Sequence, residues 1–190
     1  MYVVRHRVPH YTPGTDGEDR DWFVLSGSNF EYPVTCGYNR IDFIMERNIG
    51  FKERRYIEEL RILTKSTALD CVIDERFDRI IYVIRPGDMG LAIGKKGENI
   101  KRLQTVLGKR IEMVEYCEDN PAFIANIFKP AEVVGIERIE TGPVNVLVKQ
   151  RSDLGIAIGK AGCNIEKARI LCRRFCGIEI GEVLLVPEVP

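Results

Sequence analysis

The chain has 190 residues, 28 basic and 28 acidic, with 45% hydrophobic and 29% charged side chains. That composition is ordinary for a soluble globular protein of one or two small domains and excludes a highly charged disordered chain. No apolar run approaches the roughly 18–20 residues of a membrane span, and the start Met1 to His6 lacks the charged-then-apolar layout of a signal peptide. A cytoplasmic location is therefore expected.

The first fifty residues hold eight aromatics, among them Trp22, Phe23 and Phe30, with turn-rich stretches such as Thr12 to Gly17 and no clear helical period. An irregular extension is expected over 1–50. Three readings stay open: an accessory segment packed on the unit that follows, an arm that orders on a partner, or translation beginning at Met45. With 5 basic and 7 acidic groups, this segment is not expected to contact nucleic acid, although its aromatics could stack on bases.

From Phe51 the pattern becomes regular. A helix is expected over 51–65 and a strand over 69–73. Arg79 to Arg85, rich in β-branched and aromatic residues and closed by Pro86-Gly87, reads as a second strand. A short helix capped by Asp88 follows through Ile93, then a loop, then a helix carrying Ile100, Leu103 and Leu107 at helical spacing. A strand over 110–116 ends the unit. The order then recurs. A helix is expected over 121–129, with Pro121 suited to its first turn. Strands are expected over 131–139 and 144–149, a short helix capped by Asp153 through Ile158, a helix with Ile165, Ala168, Cys172 and Phe175 on one face, and a strand over Gly177 to Ile180.

The repeat is explicit. Residues 88–100, DMGLAIGKKGENI, align without gaps on residues 153–165, DLGIAIGKAGCNI, at an offset of 65, with nine of thirteen positions identical. Such self-similarity marks two copies of one supersecondary unit. Net charge is zero, but 94–110 carries six basic residues against one acid and 159–174 five against one. A local basic patch attracts phosphate even on a neutral protein, because screening limits the reach of distant charges.

Each repeat brings together Gly-Lys-x-Gly and the start of a helix. Glycines allow a sharp turn and a close ligand approach. The helix start supplies unpaired N–H groups and the positive dipole end, and a lysine adds a mobile charge. This suits a sugar-phosphate backbone. The neighbouring pairs Leu91 and Ile93, and Ile156 and Ile158, are read either as groove walls or as core, with core expected for at least one of each pair.

Other chemistries fit poorly. A nucleotide-binding P-loop needs four residues between its glycines and then Lys-Ser or Lys-Thr, whereas three separate Gly90 from Gly94 and Lys96 follows Lys95. Six cysteines at 36, 71, 117, 163, 172 and 176 form no Cys-x-x-Cys pair and read as reduced thiols. His6 and His10 flank Pro9, which argues against a helical pair of ligands. No histidine follows His10 and no catalytic constellation is visible. No metal, cofactor or enzyme activity is expected.

The Ile-Gly-x-x-Gly-x-Asn-Ile loop between two helices resembles the signature of KH domains, which clamp about four nucleotides at that loop. The helix and strand ahead of each core give the type II order, and the doubled Gly-x-Ala-Ile-Gly-Lys-x-Gly-x-Asn-Ile resembles archaeal NusA-like transcription factors. The resemblance implies an α+β fold of two tandem type II KH domains, each a three-stranded sheet with helices on one face, at residues 51–117 and 118–190. It implies binding of a single-stranded nascent transcript in elongation, termination or antitermination, close to RNA polymerase, by a monomer. The implied RNA-binding residues are Gly94, Lys95, Lys96 and Gly97, then Gly159, Lys160, Ala161 and Gly162. Asn99, Asn164, Lys101, Arg102 and Lys167 belong to the same expected set. Ala161 in place of Lys96 predicts a weaker second phosphate contact. A stretch long enough for the OB-fold of bacterial relatives is not seen. Only about four residues, Cys117 to Asn120, link the copies, which predicts a stiff pair with one RNA track. Alternatives are an RNA-binding factor in ribosome assembly or another RNA process, and a KH-fold module that binds protein.

Overall fold

Helix α1 (Phe51–Thr64) follows extended Gly50 and stops at Lys65, a left-handed residue (φ 58°) whose N–H closes on the Arg61 carbonyl. The structure is a computed structural model that describes residues 21–24, 49–138 and 142–186. Strands β2 (Ala68–Asp74) and β3 (Arg79–Ile84) then pair antiparallel, and β4 (Arg110–Glu115) adds parallel to β3, giving the order β2-β3-β4. A parallel pair needs a crossover. Here it is α2 (Met89–Ile93), a three-residue turn at 95–97, and α3 (Glu98–Leu107).

The second copy repeats the path: α4 (Asn120–Phe128), β5 (Val133–Arg138), β6 (Val144–Val148), α5 (Arg151–Ile158), α6 (Cys163–Cys176) and β7 (Ile180–Leu185). Its strands are ordered β5-β6-β7, with β6 and β7 parallel. Helix α4 is well specified locally: Asp119 caps it by accepting from the Ala122 N–H at 3.0 Å, and Pro121 sits in the first turn.

A further strand, β1 (Asp21–Val24), lies antiparallel on the free edge of β5, with Asp21 opposite Arg138 and Val24 opposite Gly135. The segment read as irregular therefore contains a short strand, and that strand joins the second copy, not the first. An edge strand presents unpaired backbone groups that a β-prone stretch can satisfy. The other expectations for 1–48 lie outside the described residues.

Element boundaries otherwise match the sequence reading to about two residues. The exceptions are α5, which starts at Arg151 instead of after Asp153, and the final strand, which begins at Ile180 and runs to Leu185 instead of spanning 177–180. Gly177 adopts φ 63° and its N–H bonds the Cys172 carbonyl, so it ends α6 before any strand can start. Capping also differs. Asp153 lies within the first turn of α5, whose N-cap is Gln150. Asp88 stands at the N-cap of α2 without a cap bond; its carboxylate accepts from the Thr67 N–H at 2.9 Å and pairs with Arg85.

All six residues of β3 are buried. Ile80, Tyr82 and Ile84 pack with Leu60 of α1 and Leu103 of α3. Ile81 and Val83 face the other way and share a core with Val72, Val114 and the α4 residues Phe123, Ile124 and Phe128. A strand covered on both faces reads as a continuous apolar run, as Ile80 to Ile84 does. The helices of the first copy cover one face of its sheet; the second copy covers the other. Tyr116, Phe123 and Phe175 close the junction, with ring centroids 5.4–5.5 Å apart.

Candidate nucleic-acid interface

The two loops have one backbone. Gly94 and Gly159 both stand at φ 73°, with ψ 173° and 170°. Lys96 (φ 52°, ψ 25°) and Ala161 (φ 54°, ψ 25°) are left-handed, as are Gly97 (φ 75°) and Gly162 (φ 79°). In each loop the last glycine donates its N–H to the first glycine's carbonyl at 3.1 Å. A lysine and an alanine thus occupy the same strained position, so the glycines and the flanking helices set the shape.

The first glycine of each loop is required twice over. Its φ/ψ pair is a region that only glycine populates readily. A Cβ at Gly94 would also lie 2.7 Å from the Asn99 side chain, and one at Gly159 2.8 Å from the Cys163 Sγ. The asparagines sit this close because they brace the loop: Asn99 Nδ2 donates to the Leu91 carbonyl at 2.8 Å, and Asn164 Nδ2 to the Ile156 carbonyl at 2.7 Å.

The expected RNA-contacting residues fall into three groups. Lys95, Lys96, Lys101, Arg102, Lys160 and Ala161 are exposed around the loops and the first turns beyond them. Gly94, Gly97, Gly159, Gly162, Asn99 and Asn164 are half-buried, with the asparagine amides directed inward to the braces. Lys167 stands apart: it is buried, and its ammonium pairs with Glu112 Oε2 at 3.1 Å, away from solvent. Helices α3 and α6 begin directly after the loops with glycine N-caps and no side-chain cap bond, so first-turn N–H groups face the loop.

The aliphatic pairs beside the loops are all exposed, with Leu91 at 52% and Ile93, Ile156 and Ile158 at 37–39%. The expectation that one of each pair enters the core is not met. The buried residue is the alanine between them, Ala92 or Ala157. Two apolar side chains therefore flank each cationic loop, as the wall of a groove for unstacked bases requires.

Arg79 is a feature that the sequence reading passed over. Its signal was a lone arginine opening an apolar strand. It is fully buried and bonds Asp74, Glu112 and the Cys163 carbonyl. Glu112 in turn carries Arg79, Arg110 and Lys167. Burial would raise the Glu112 carboxyl, but these three cations outweigh it and hold it at about 2. Among the described residues no cluster of three or more histidine, cysteine, aspartate or glutamate side chains could hold a metal, and no helix is long and apolar enough to cross a membrane.

Two copies of an α-β-β-α-loop-α-β unit, each with Gly-x-x-Gly between paired helices, define a tandem type II KH protein. A KH domain family model matches residues 53–129. The chain is 35% identical over 136 residues to a probable transcription termination protein NusA of Halobacterium salinarum, covering 71% of this chain and 96% of that one. It is 37% identical over 120 residues to the protein of that name from Methanococcus vannielii, covering 62% and 68%. Against the transcription termination/antitermination protein NusA of Mycobacterium tuberculosis it is 33% identical over 81 residues, covering 42% of this chain and only 23% of that one. The crystal structure of APE1850 superposes with a TM-score of 0.61 at 36% identity, covering 73% of this chain and all of that one. This chain belongs to the archaeal NusA-like family.

Proposed function

We propose that this chain binds single-stranded RNA through both Gly-x-x-Gly loops and acts on the nascent transcript in transcription termination or antitermination. One observation carries the reading most directly: both loops keep the same glycine-dependent backbone, with exposed lysines in the loop and exposed aliphatic side chains in the helix just before it. The names of the archaeal relatives favour transcription over other RNA processes. Lys95, Lys96, Lys160, Lys101 and Arg102 contact phosphate. Asn99 and Asn164 hold the loop in shape, and Lys167 serves the junction. The role is binding, not catalysis. The working unit is a monomer in the cytoplasm, with residues 51–117 and 118–190 as its two domains and RNA polymerase as a neighbour on the transcript.

The test is fluorescence anisotropy with short single-stranded RNAs across several salt concentrations. Wild type is compared with Lys95→Asp/Lys96→Asp and with Lys160→Asp/Ala161→Asp. Each pair is expected to weaken binding and flatten the salt dependence, since a single strand gives up about 0.7 of log–log slope for every phosphate that the protein no longer neutralises. Unchanged binding in both variants would remove RNA from these loops and favour a protein-binding module.

A further inference from the structure

We propose that Arg79, on the central strand of the first copy, is a positioning residue for the RNA clamp of the second copy. The proposal rests on the RNA-binding reading of the loops. Arg79 is 0% exposed, and its guanidinium is used in three directions. Nε donates to Asp74 Oδ2 at 2.7 Å and Nη1 to Glu112 Oε1 at 3.0 Å, both within its own copy. Nη2 crosses the junction and donates to the Cys163 carbonyl at 2.6 Å.

Cys163 directly follows Gly162 and opens α6, so the bonded carbonyl stands at the end of the second loop. The next residue, Asn164, makes the brace to the Ile156 carbonyl, and a Cβ at Gly159 would strike both Cys163 and Asn164. One turn further along α6, Lys167 pairs with Glu112. The first two turns of α6 are thus tied to the first copy at two points, one of them at the loop itself. A charge-assisted bond in a buried site fixes direction in a way that apolar packing does not.

The arrangement is one-way. At the repeat offset of 65 residues, the second-copy counterpart of Arg79 is Val144, which has no polar side-chain group to offer. Apolar contact already joins the copies through Ile81, Val83 and Phe123. The guanidinium is therefore not needed as glue, and burying it is expensive unless every partner is met. What it adds is the placement of the Cys163–Asn164 peptide, and with it the direction of the first-turn N–H groups that face RNA.

The experiment uses the full chain with Arg79→Lys, which keeps a charge for Asp74 and Glu112 but cannot span three acceptors. It is made in two backgrounds. With Lys95→Asp/Lys96→Asp, RNA binding reports the second clamp; with Lys160→Asp/Ala161→Asp, it reports the first. Losing one charged hydrogen bond at the loop is expected to weaken the second clamp about fivefold or more and leave the first within about twofold. In RNA-free protein, amide hydrogen exchange at Gly162 to Asn164 is expected to quicken while Gly97 to Asn99 stay unchanged. Equal weakening of both clamps would reduce Arg79 to general support of the fold, and unchanged exchange at Gly162 to Asn164 would overturn the proposal. Should Arg79→Lys not fold, Arg79→Met with Asp74→Asn removes the bond to Cys163 without stranding that carboxylate, and the same outcomes apply. If the unmutated chain binds no RNA, the functional reading fails, and the exchange data alone still decide whether Arg79 positions the loop.

Discussion

The side-chain amide of Asn99 donates to the Leu91 carbonyl across 2.8 Å, tying the helix after the first loop to the helix before it. The brace leaves no room for a side chain at Gly94, while a Cβ at Gly97 would meet only Ile100 at an ordinary 3.6 Å. The two glycines of the loop should therefore respond differently to substitution. Gly94→Ala combines a forbidden φ/ψ pair with steric overlap and should cost about 2–3 kcal/mol and abolish clamp binding. Gly97→Asn stays in a left-handed region that asparagine tolerates and should cost less than about 1 kcal/mol. Thermal melts paired with RNA anisotropy separate the two; equal damage from both would show that the brace does not matter.

Lys96 and Ala161 share a left-handed backbone, so a lysine fits at 161 without remodelling the second loop. Ala161→Lys should steepen the salt dependence of RNA binding by about 0.7 in log–log slope, as one further neutralised phosphate on a single strand would. Affinity should rise at low salt and converge on wild type at high salt. An unchanged slope would mean that the second loop does not meet phosphate at this position.

Gly90 and Gly155 sit inside short helices, exposed, and a Cβ at either would meet nothing within 4 Å. Neither fold nor packing calls for glycine there, and glycine weakens a helix by roughly 0.5–1 kcal/mol relative to alanine. Gly90→Ala should raise stability by about that amount. If RNA lies close against this face, beside the exposed Leu91, the same change should weaken binding. A gain in Tm with unaltered affinity would place the nucleotide track elsewhere.

The doubled loop and the order of elements were legible because each rests on local rules: glycine at a forced turn, runs of β-branched and aromatic residues in the strands, Pro121 at a helix start. What escaped was set by contacts distant in sequence. Lys167 reads as a loop cation until Glu112, 55 positions away, takes its ammonium. At least one of Leu91 and Ile93 reads as core because nothing local says that Ala92 is the residue that turns inward. The start of β7 was misplaced because Gly177 ends a helix, while its apolar neighbours Ile178 and Ile180 suggest a strand. Arg79 opens an apolar strand with no sequence neighbour to explain it; its partners span 74 to 163.

Glu112 makes the junction sensitive to acid. Burial alone would raise its carboxyl, but Lys167, Arg110 and Arg79 hold it at about 2 against an ordinary 4.5. A carboxyl lowered on folding stabilises the folded state above its unfolded value, and that contribution is lost as pH falls from about 4.5 towards 2. The difference corresponds to roughly 3 kcal/mol at neutral pH, as an order of magnitude. Glu112→Gln should lower stability at pH 7 by about 2–4 kcal/mol, because it leaves buried cations short of a partner. The same variant should show a flatter loss of stability than wild type between about pH 5 and 2.5, since the titrating group is gone. Denaturant unfolding at stepped pH measures both. Parallel acid limbs for the two proteins would mean that the cations around Glu112 do not hold its carboxyl down.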